Sequence, residues 1–394
     1  MGLPENGRAG AATTTGPRSE LLIATANEWA AADIDPDTRA ETRRLIAAAR
    51  EGDADAIAEL ADAFGGRLAF GTAGLRGRLG AGPRRMNRVV VSQTSAGFAA
   101  YLLERAAQGG AETPPSIVIG YDGRVNSDVF ARDTAEVMAG AGLRAFLLPE
   151  AGPTPLTAFA VRHLGVSAGV MVTASHNPPR DNGYKVYLGD ADDGSQIVPP
   201  VDGVIAAHIE RVAATPVSRI RRSTDYTVLG DGVANAYVAE TAAAVLAGLP
   251  HPPGEPGVAR GSDTGLAIVY TAMHGVGADL ARRVFTAAGL PRVTPVPQQD
   301  RPDGGFPTVD FPNPEEPGAL DLAIRTARSI DADLIVAHDP DADRLAIAVP
   351  RSGEPSGYRR LTGNELGLLL GWRAAERARV AAELADAPLA GALA

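Results

Sequence analysis

Residues 168–178 read Ala-Gly-Val-Met-Val-Thr-Ala-Ser-His-Asn-Pro. The apolar run Ala168–Val172 predicts a buried strand. It feeds straight into Ser175, and Asn177-Pro178-Pro179 then signals a turn. The flanking sequence repeats this arrangement. Ser116–Gly120 is a β-like run followed by the turn Tyr121-Asp122-Gly123-Arg124. A helix over Asp128–Ala141, a strand over Arg144–Leu148 and a helix over Thr154–Leu164 lead back to the serine strand. Such alternation predicts an α/β domain with a largely parallel sheet, and ligands meet such sheets at the carboxyl ends of strands. Ser175 falls at one of those ends.

A second α/β pattern follows. It comprises a strand over Leu266–Tyr270, helices over Ala278–Ala288 and Ala319–Ser329, and a strand over Leu334–Ala337 that delivers Asp339-Pro340-Asp341-Ala342-Asp343-Arg344. Leu345–Val349 is the strand leaving that loop. His251–Pro256 and Asp303–Pro317, heavy in proline and glycine, read as loops. The expected fold class is tandem α/β domains with mixed, largely parallel sheets plus an N-terminal helical extension. Its expected parts are a disordered lead over 1–18, a helical extension over 19–64, a first α/β domain over 65–215, a second over 216–355, and a stub over 356–394 holding one helix from Gly363 to about Leu384. Leu22, Ala26 and Trp29, then Ile46, Ile57 and Leu60, carry the helical spacing of the extension, which reads as a packing element without catalytic duty.

Composition narrows the chemistry. The 394 residues are 45% apolar and carry a net charge of −10, which supplies ample core and argues against a nucleic-acid partner. Any phosphate ligand therefore needs local basic groups. With no cysteine, disulfides, thiolate metal sites and cysteine nucleophiles are excluded, which is compatible with the cytoplasm. No secretory leader is expected, Asn6 breaks the myristoylation pattern, and no apolar run reaches membrane-spanning length, so no membrane partner is expected.

Asp339, Asp341 and Asp343 alternate, a spacing that in extended chain puts three carboxylates on one face. Three like charges so placed call for a cation or basic groups, and all-oxygen ligation favours Mg²⁺, Mn²⁺ or Ca²⁺ over Zn²⁺. An EF-hand is excluded, because Arg344 stands in place of the required glycine and Pro350 in place of the closing glutamate. A solvated acidic turn is the plainer alternative. Ser175 supplies a hydroxyl, though a turn serine that caps its own loop is also common. In extended chain His176 points away from it, so a Ser-His dyad is not expected. Lys185 lies ten residues on; a reversal at Gly183 returns it to the serine, where it neutralises phosphate or, with a lowered pKa, shuttles a proton. Gly71-Thr72-Ala73-Gly74-Leu75-Arg76-Gly77 allows close backbone approach to an anion and presents one guanidinium, but is no Walker loop. His274-Gly275-Val276-Gly277 is read as tightening a strand-to-helix turn rather than as a dinucleotide loop.

The ordered set of the glycine-arginine loop, the serine loop with its downstream lysine, and Asp-Pro-Asp-Ala-Asp-Arg resembles the α-D-phosphohexomutase superfamily, which includes phosphoglucomutases and phosphomannomutases. The glycine loop and the N-terminal extension look most like its phosphoglucomutase/phosphopentomutase branch. The resemblance implies a phosphosugar mutase, an intramolecular phosphotransferase that moves a phosphoryl group between the 1- and 6- (or 5-) positions of a sugar through a phosphoserine and a bisphosphate intermediate. It implies Ser175 as the phosphoryl carrier and one Mg²⁺ per chain on Ser175, Asp339, Asp341 and Asp343. Lys185 would assist proton transfer, Arg76 and Arg344 would steady the phosphates, and His176 and Asn177 would line the site. A sugar monophosphate would be the substrate, a sugar bisphosphate the activator, and the protein a monomer or weak homodimer. The family's Glu-x-Ser sugar loop and Arg-x-Ser-Gly-Thr phosphate loop do not occur in this sequence. The expectation is a chain that ends inside a third domain and binds Mg²⁺ with little mutase turnover. The alternatives are a non-catalytic Mg²⁺ or sugar-phosphate-binding fragment, a phosphopentomutase, or a phosphatase that passes the phosphoryl group to water.

Overall fold

The computed structural model describes residues 17–247, 265–290 and 292–385. Most of the expected disordered lead and the expected loop at His251–Pro256 lie outside these residues. In chain order the elements are α1 (Pro17–Ala32), α2 (Pro36–Arg50), α3 (Ala54–Phe64), β1 (Leu75–Arg78), α4 (Arg88–Gln108), β2 (Ser116–Tyr121), α5 (Ser127–Gly140), β3 (Arg144–Leu147), α6 (Thr154–Leu164), β4 (Ala168–Val172), β5 (Asp181–Leu188), β6 (Ser195–Gln196), α7 (Val201–Ala213), β7 (Thr227–Val228), α8 (Gly232–Ala247), β8 (Ile268–Thr271), α9 (Ala278–Ala287), β9 (Val293–Pro295), α10 (Asp321–Ser329), β10 (Leu334–His338), β11 (Leu345–Pro350), β12 (Tyr358–Arg360) and α11 (Gly363–Ala385). They build two mixed, largely parallel sheets preceded by a helical region.

The first sheet has the order β1-β5-β4-β2-β3-β7, with β6 on β5. Strands β4, β2, β3 and β7 run parallel, while β5 is antiparallel to β4 and β1 to β5. Strand alternation splits its side chains between two cores. Ile117, Ile119, Val170, Val172, Tyr184 and Val186 join one apolar cluster, whereas Val118, Met171 and Tyr187 join another, with residues of α6 and α8. Lys185 has the parity of Tyr187, and its register partner is Met171. One β5 strand thus carries core on one face and a charge on the other.

The second sheet has the order β12-β11-β10-β8-β9, with β8, β9 and β10 parallel and β11 and β12 antiparallel. Both sheets reach past their expected limits. Phe146 pairs with Thr227, so the first sheet extends beyond residue 215, and β12 carries the second beyond 355. Those added strands are two and three residues long, too short to show a period. Helix α11 was therefore not the sole element after Ser356.

Helices α1–α3 pack around Ile23, Ala26, Ile46, Leu60 and Phe64, with Trp29 edge-on to Phe64. Asp35 and Asp53 cap α2 and α3, each accepting from the backbone two residues on. The Arg85 guanidinium ties α3 to the first unit by donating to Glu59 and Asp62 at 2.9 and 2.5 Å.

The expected reversal at Gly183 does not occur. Gly183 lies flat within β5, and the chain turns earlier, over the loop that holds Ser175 at φ 53°. Gly183 is needed for a different reason: a Cβ there would sit 2.5 Å from the Thr173 carbonyl oxygen and 2.7 Å from that of Leu75. Glycine to alanine in an open strand stabilises by restricting the unfolded chain. Here backbone on both sides cannot yield, so Gly183→Ala is expected to destabilise by about 2–3 kcal/mol, read by urea denaturation.

Candidate active site

Two loops at carboxyl strand ends meet. The loop after β4 presents Ser175, and the loop after β10 presents Asp339, Asp341 and Asp343. The Ser175 hydroxyl donates to Asp339 Oδ2 at 2.8 Å, and Ser175 is 2% exposed. One oxygen from each of the three aspartates lies within 4.8 Å of the others.

The carboxylates do not converge by extended alternation. The loop turns, with the Ala342 amide donating to the Asp339 carbonyl at 2.9 Å and Ala342 at φ 55°. The His274–Gly277 loop, read from sequence as a tight turn, backs this geometry. The Val276 amide donates to the Pro340 carbonyl at 2.8 Å, and a Cβ on Gly275 would lie 2.3 Å from that oxygen.

Lys185 donates to Asp341 Oδ2 at 2.7 Å and to Asp343 Oδ2 at 2.6 Å. Burial pushes its pKa down, but the two carboxylates win and hold it above the usual lysine value. With both carboxylates beside it, Lys185 is held as a cation that offsets their charge. Asp341 is fully buried. Its Oδ2 also accepts from Thr154 Oγ1 at 2.7 Å and Thr173 Oγ1 at 3.1 Å. Burial pushes Asp341 up, yet Lys185 and Thr154 bring it below the ordinary carboxylate value. Asp339 goes the other way, raised to about 8 by burial and then by the charges of Asp341 and Asp343.

His176 lies closer to the serine than extended chain allows. Its Nδ1 is 3.2 Å from Ser175 Oγ, because the left-handed backbone at Ser175 swings neighbouring side chains to one side. Burial first, then Arg344 and Arg76, push His176 down to about 4, so it is neutral at pH 7. Arg76 donates to Asn177 Oδ1 at 3.1 Å rather than to the serine. The Arg344 backbone amide donates to Asp339 Oδ1 at 3.0 Å, and its exposed guanidinium comes within 4.0 Å of Asp339 Oδ2.

Sequence reasoning missed Thr154, Thr173 and Arg124. The threonines contact Asp341 across separations of 187 and 168 residues, for which one sequence gives no signal. Arg124 sits in the noted turn Tyr121–Arg124, but its target was not legible. Its guanidinium donates to the carbonyls of Ser175 and Asn177 at 2.6 Å each, of Pro178 at 2.9 Å and of Asp181 at 3.0 Å.

The donor set fits a hard divalent cation. Three carboxyl groups crowd around one buried ammonium, and that crowding, with burial, is what raises Asp339. Asp341 Oδ1 is buried with no hydrogen-bond partner among the described residues. Together these are what an oxygen-ligated cation relieves. Among the described residues no helix is long and apolar enough to cross a membrane.

Two α/β units bring a buried serine hydroxyl onto Asp339, one of three clustered aspartates. Residues 67–215 match "Phosphoglucomutase/phosphomannomutase, alpha/beta/alpha domain I" and residues 254–353 match domain II of the same family. The chain belongs to the α-D-phosphohexomutase superfamily. It is 52% identical over 292 residues to a Haemophilus influenzae protein named "Probable phosphomannomutase", covering 74% of this chain and 56% of that one. It is 38% identical over 358 residues to "Phosphopentomutase" of Homo sapiens, covering 88% and 54%. The chain thus spans about half the length of the curated relatives it matches. A Burkholderia thailandensis phosphoglucomutase/phosphomannomutase family protein shares the fold at TM-score 0.58 and 24% identity, over 79% of this chain and 58% of that one.

Proposed function

We propose that this chain carries the phosphoryl-donor half of a phosphosugar mutase, with Ser175 as the residue that takes up and returns the phosphoryl group. The contact between Ser175 Oγ and Asp339 Oδ2 carries this reading, because it joins a nucleophile from one unit to a cation-ready carboxylate cluster from the other. Ser175, Asp339, Asp341 and Asp343 would hold Mg²⁺. Bound there, the ion supplies charge neutralisation for phosphoryl transfer.

The chain's own residues do the rest. When a sugar bisphosphate loads the enzyme, the phosphorus–oxygen bond to the sugar breaks and one to Ser175 Oγ forms. The serine proton leaves with the sugar oxygen as a hydroxyl. His176, neutral at pH 7, keeps Oγ oriented from 3.2 Å. Lys185 holds Asp341 and Asp343 in place and offsets their charge. Arg76 and Arg344 supply the positive field that a net charge of −10 otherwise denies a phosphate.

Incubation with glucose 1,6-bisphosphate and Mg²⁺, followed by peptide mass spectrometry, is expected to find one added phosphate, on Ser175. Parallel loading with mannose 1,6- and ribose 1,5-bisphosphate identifies the preferred sugar by rate. Steady release of inorganic phosphate without a labelled serine intermediate would contradict the reading. Adding Mg²⁺ at about 100 times its Kd is expected to stabilise the fold by about 2.7 kcal/mol, lost on chelation with EDTA and read by thermal denaturation.

A further inference from the structure

We infer that Arg124 is a positioning residue, which holds Ser175 in its left-handed conformation and ties the serine loop to the second α/β unit; this rests on Ser175 being the phosphoryl carrier. Ser175 has φ 53°, a conformation that persists only where surrounding contacts fix it. The Arg124 guanidinium supplies those contacts by donating to four carbonyls of one loop, at residues 175, 177, 178 and 181. Asp122 anchors the turn beneath. Its Oδ1 accepts from the Arg124 amide at 3.0 Å and from Ser127 Oγ at 2.6 Å, and its Oδ2 lies 3.4 Å from Arg124 Nε. Asn182 closes the other end of the loop by donating to the Val125 carbonyl at 2.9 Å and to Ser127 Oγ at 3.0 Å.

The opposite side of Arg124 faces the second unit. Its guanidinium carbon lies 4.9 Å from the centre of the buried Phe306 ring, a cation–π contact. Backbones touch as well. A Cβ on Gly304 would lie 3.0 Å from both Arg124 Cα and the Gly123 oxygen. The Asp303 amide donates to the His274 carbonyl at 2.9 Å, and the next residue, Gly275, packs on Pro340 of the acidic loop. A continuous path of contacts therefore runs from the serine carbonyl through Arg124, the 302–306 segment and the 274–276 loop to the aspartates. It fixes the distance between serine and carboxylates without passing through them. Lysine cannot replace the guanidinium, because one compact ammonium has three donors and no fork to span four carbonyls.

The test compares wild type, Arg124→Lys and Phe306→Leu, loaded with glucose 1,6-bisphosphate and Mg²⁺. Arg124→Lys is expected to phosphorylate Ser175 about 100-fold more slowly, with half-saturating bisphosphate and Mn²⁺ affinity each within threefold of wild type. Hydrogen exchange is expected to rise at residues 174–182 and stay unchanged in β4 and at 339–343. Phe306→Leu is expected to show the same pattern at about a tenfold rate loss, and it carries the test if Arg124→Lys does not fold. Loading within threefold of wild type in the folded variants overturns the inference. So does a rate loss matched by equal loss of Mn²⁺ affinity without selective exchange at 174–182. If wild type takes phosphate anywhere but Ser175, the reading of the serine itself fails, a result distinct from either.

Discussion

Replacing Ser175 by alanine is expected to lower phosphate uptake from a sugar bisphosphate by at least about 10³-fold, while the fold and the three-aspartate part of the cation site survive. Removing a covalent nucleophile removes the reaction path itself, not a fraction of its stabilisation. The structural change is small by comparison. The lost hydroxyl deletes its contacts with Asp339 and His176, worth about 1–2 kcal/mol together, and leaves the residue 175 amide on Thr173 Oγ1 at 2.8 Å. Mass spectrometry of the intact chain reads the first effect, and thermal denaturation the second. A variant that still gains one phosphate at the wild-type rate would remove the serine from the account.

Asp341→Ala has the second large effect, and it falls on stability as well as chemistry. Asp341 Oδ2 accepts from Lys185, Thr154 and Thr173, all inside the protein. Truncation leaves the buried Lys185 ammonium with only the partly exposed Asp343 as partner. Breaking a buried ion pair from one side costs about 3–5 kcal/mol, far more than the pair itself contributes. Urea denaturation of Asp341→Ala is expected to show that loss, and Mg²⁺ affinity is expected to fall by about 10²-fold or more. The double variant Asp341→Ala, Lys185→Met then separates the two effects. It is expected to regain much of the stability, because the stranded charge is gone, and none of the Mg²⁺ affinity. Equal losses in the single and double variants would show that the stranded lysine is not the cause.

The parts of the site that were legible in sequence are those encoded locally. An apolar run that ends on a serine, and another that ends on three alternating aspartates, place both loops at carboxyl strand ends before any coordinates. Lys185 was expected near the serine through a bend at Gly183, but it arrives by strand parity, sharing a face with Tyr187 rather than with Tyr184 and Val186. What failed were inferences that assumed extended chain where the backbone turns. Positive φ at Ser175 brings His176 to its hydroxyl, and positive φ at Ala342 gathers the carboxylates. Neither residue is a glycine, so composition gave no warning of either turn. The Gly183 reversal failed for the converse reason, since a glycine can be required by close backbone approach as well as by a bend. Arg124, Thr154 and Thr173 act across the fold, on atoms that only the tertiary structure brings near.

The claim beneath all of this is that one cation is shared by a serine oxygen from the first unit and three carboxylates from the second. A crystal grown with Mn²⁺ in place of Mg²⁺ and measured at the manganese absorption edge tests it directly. The expected result is a single anomalous peak about 2.1–2.3 Å from Ser175 Oγ and from one oxygen each of Asp339, Asp341 and Asp343. A peak bound elsewhere, or one held by the aspartates with Ser175 Oγ turned into a different cavity, would contradict it.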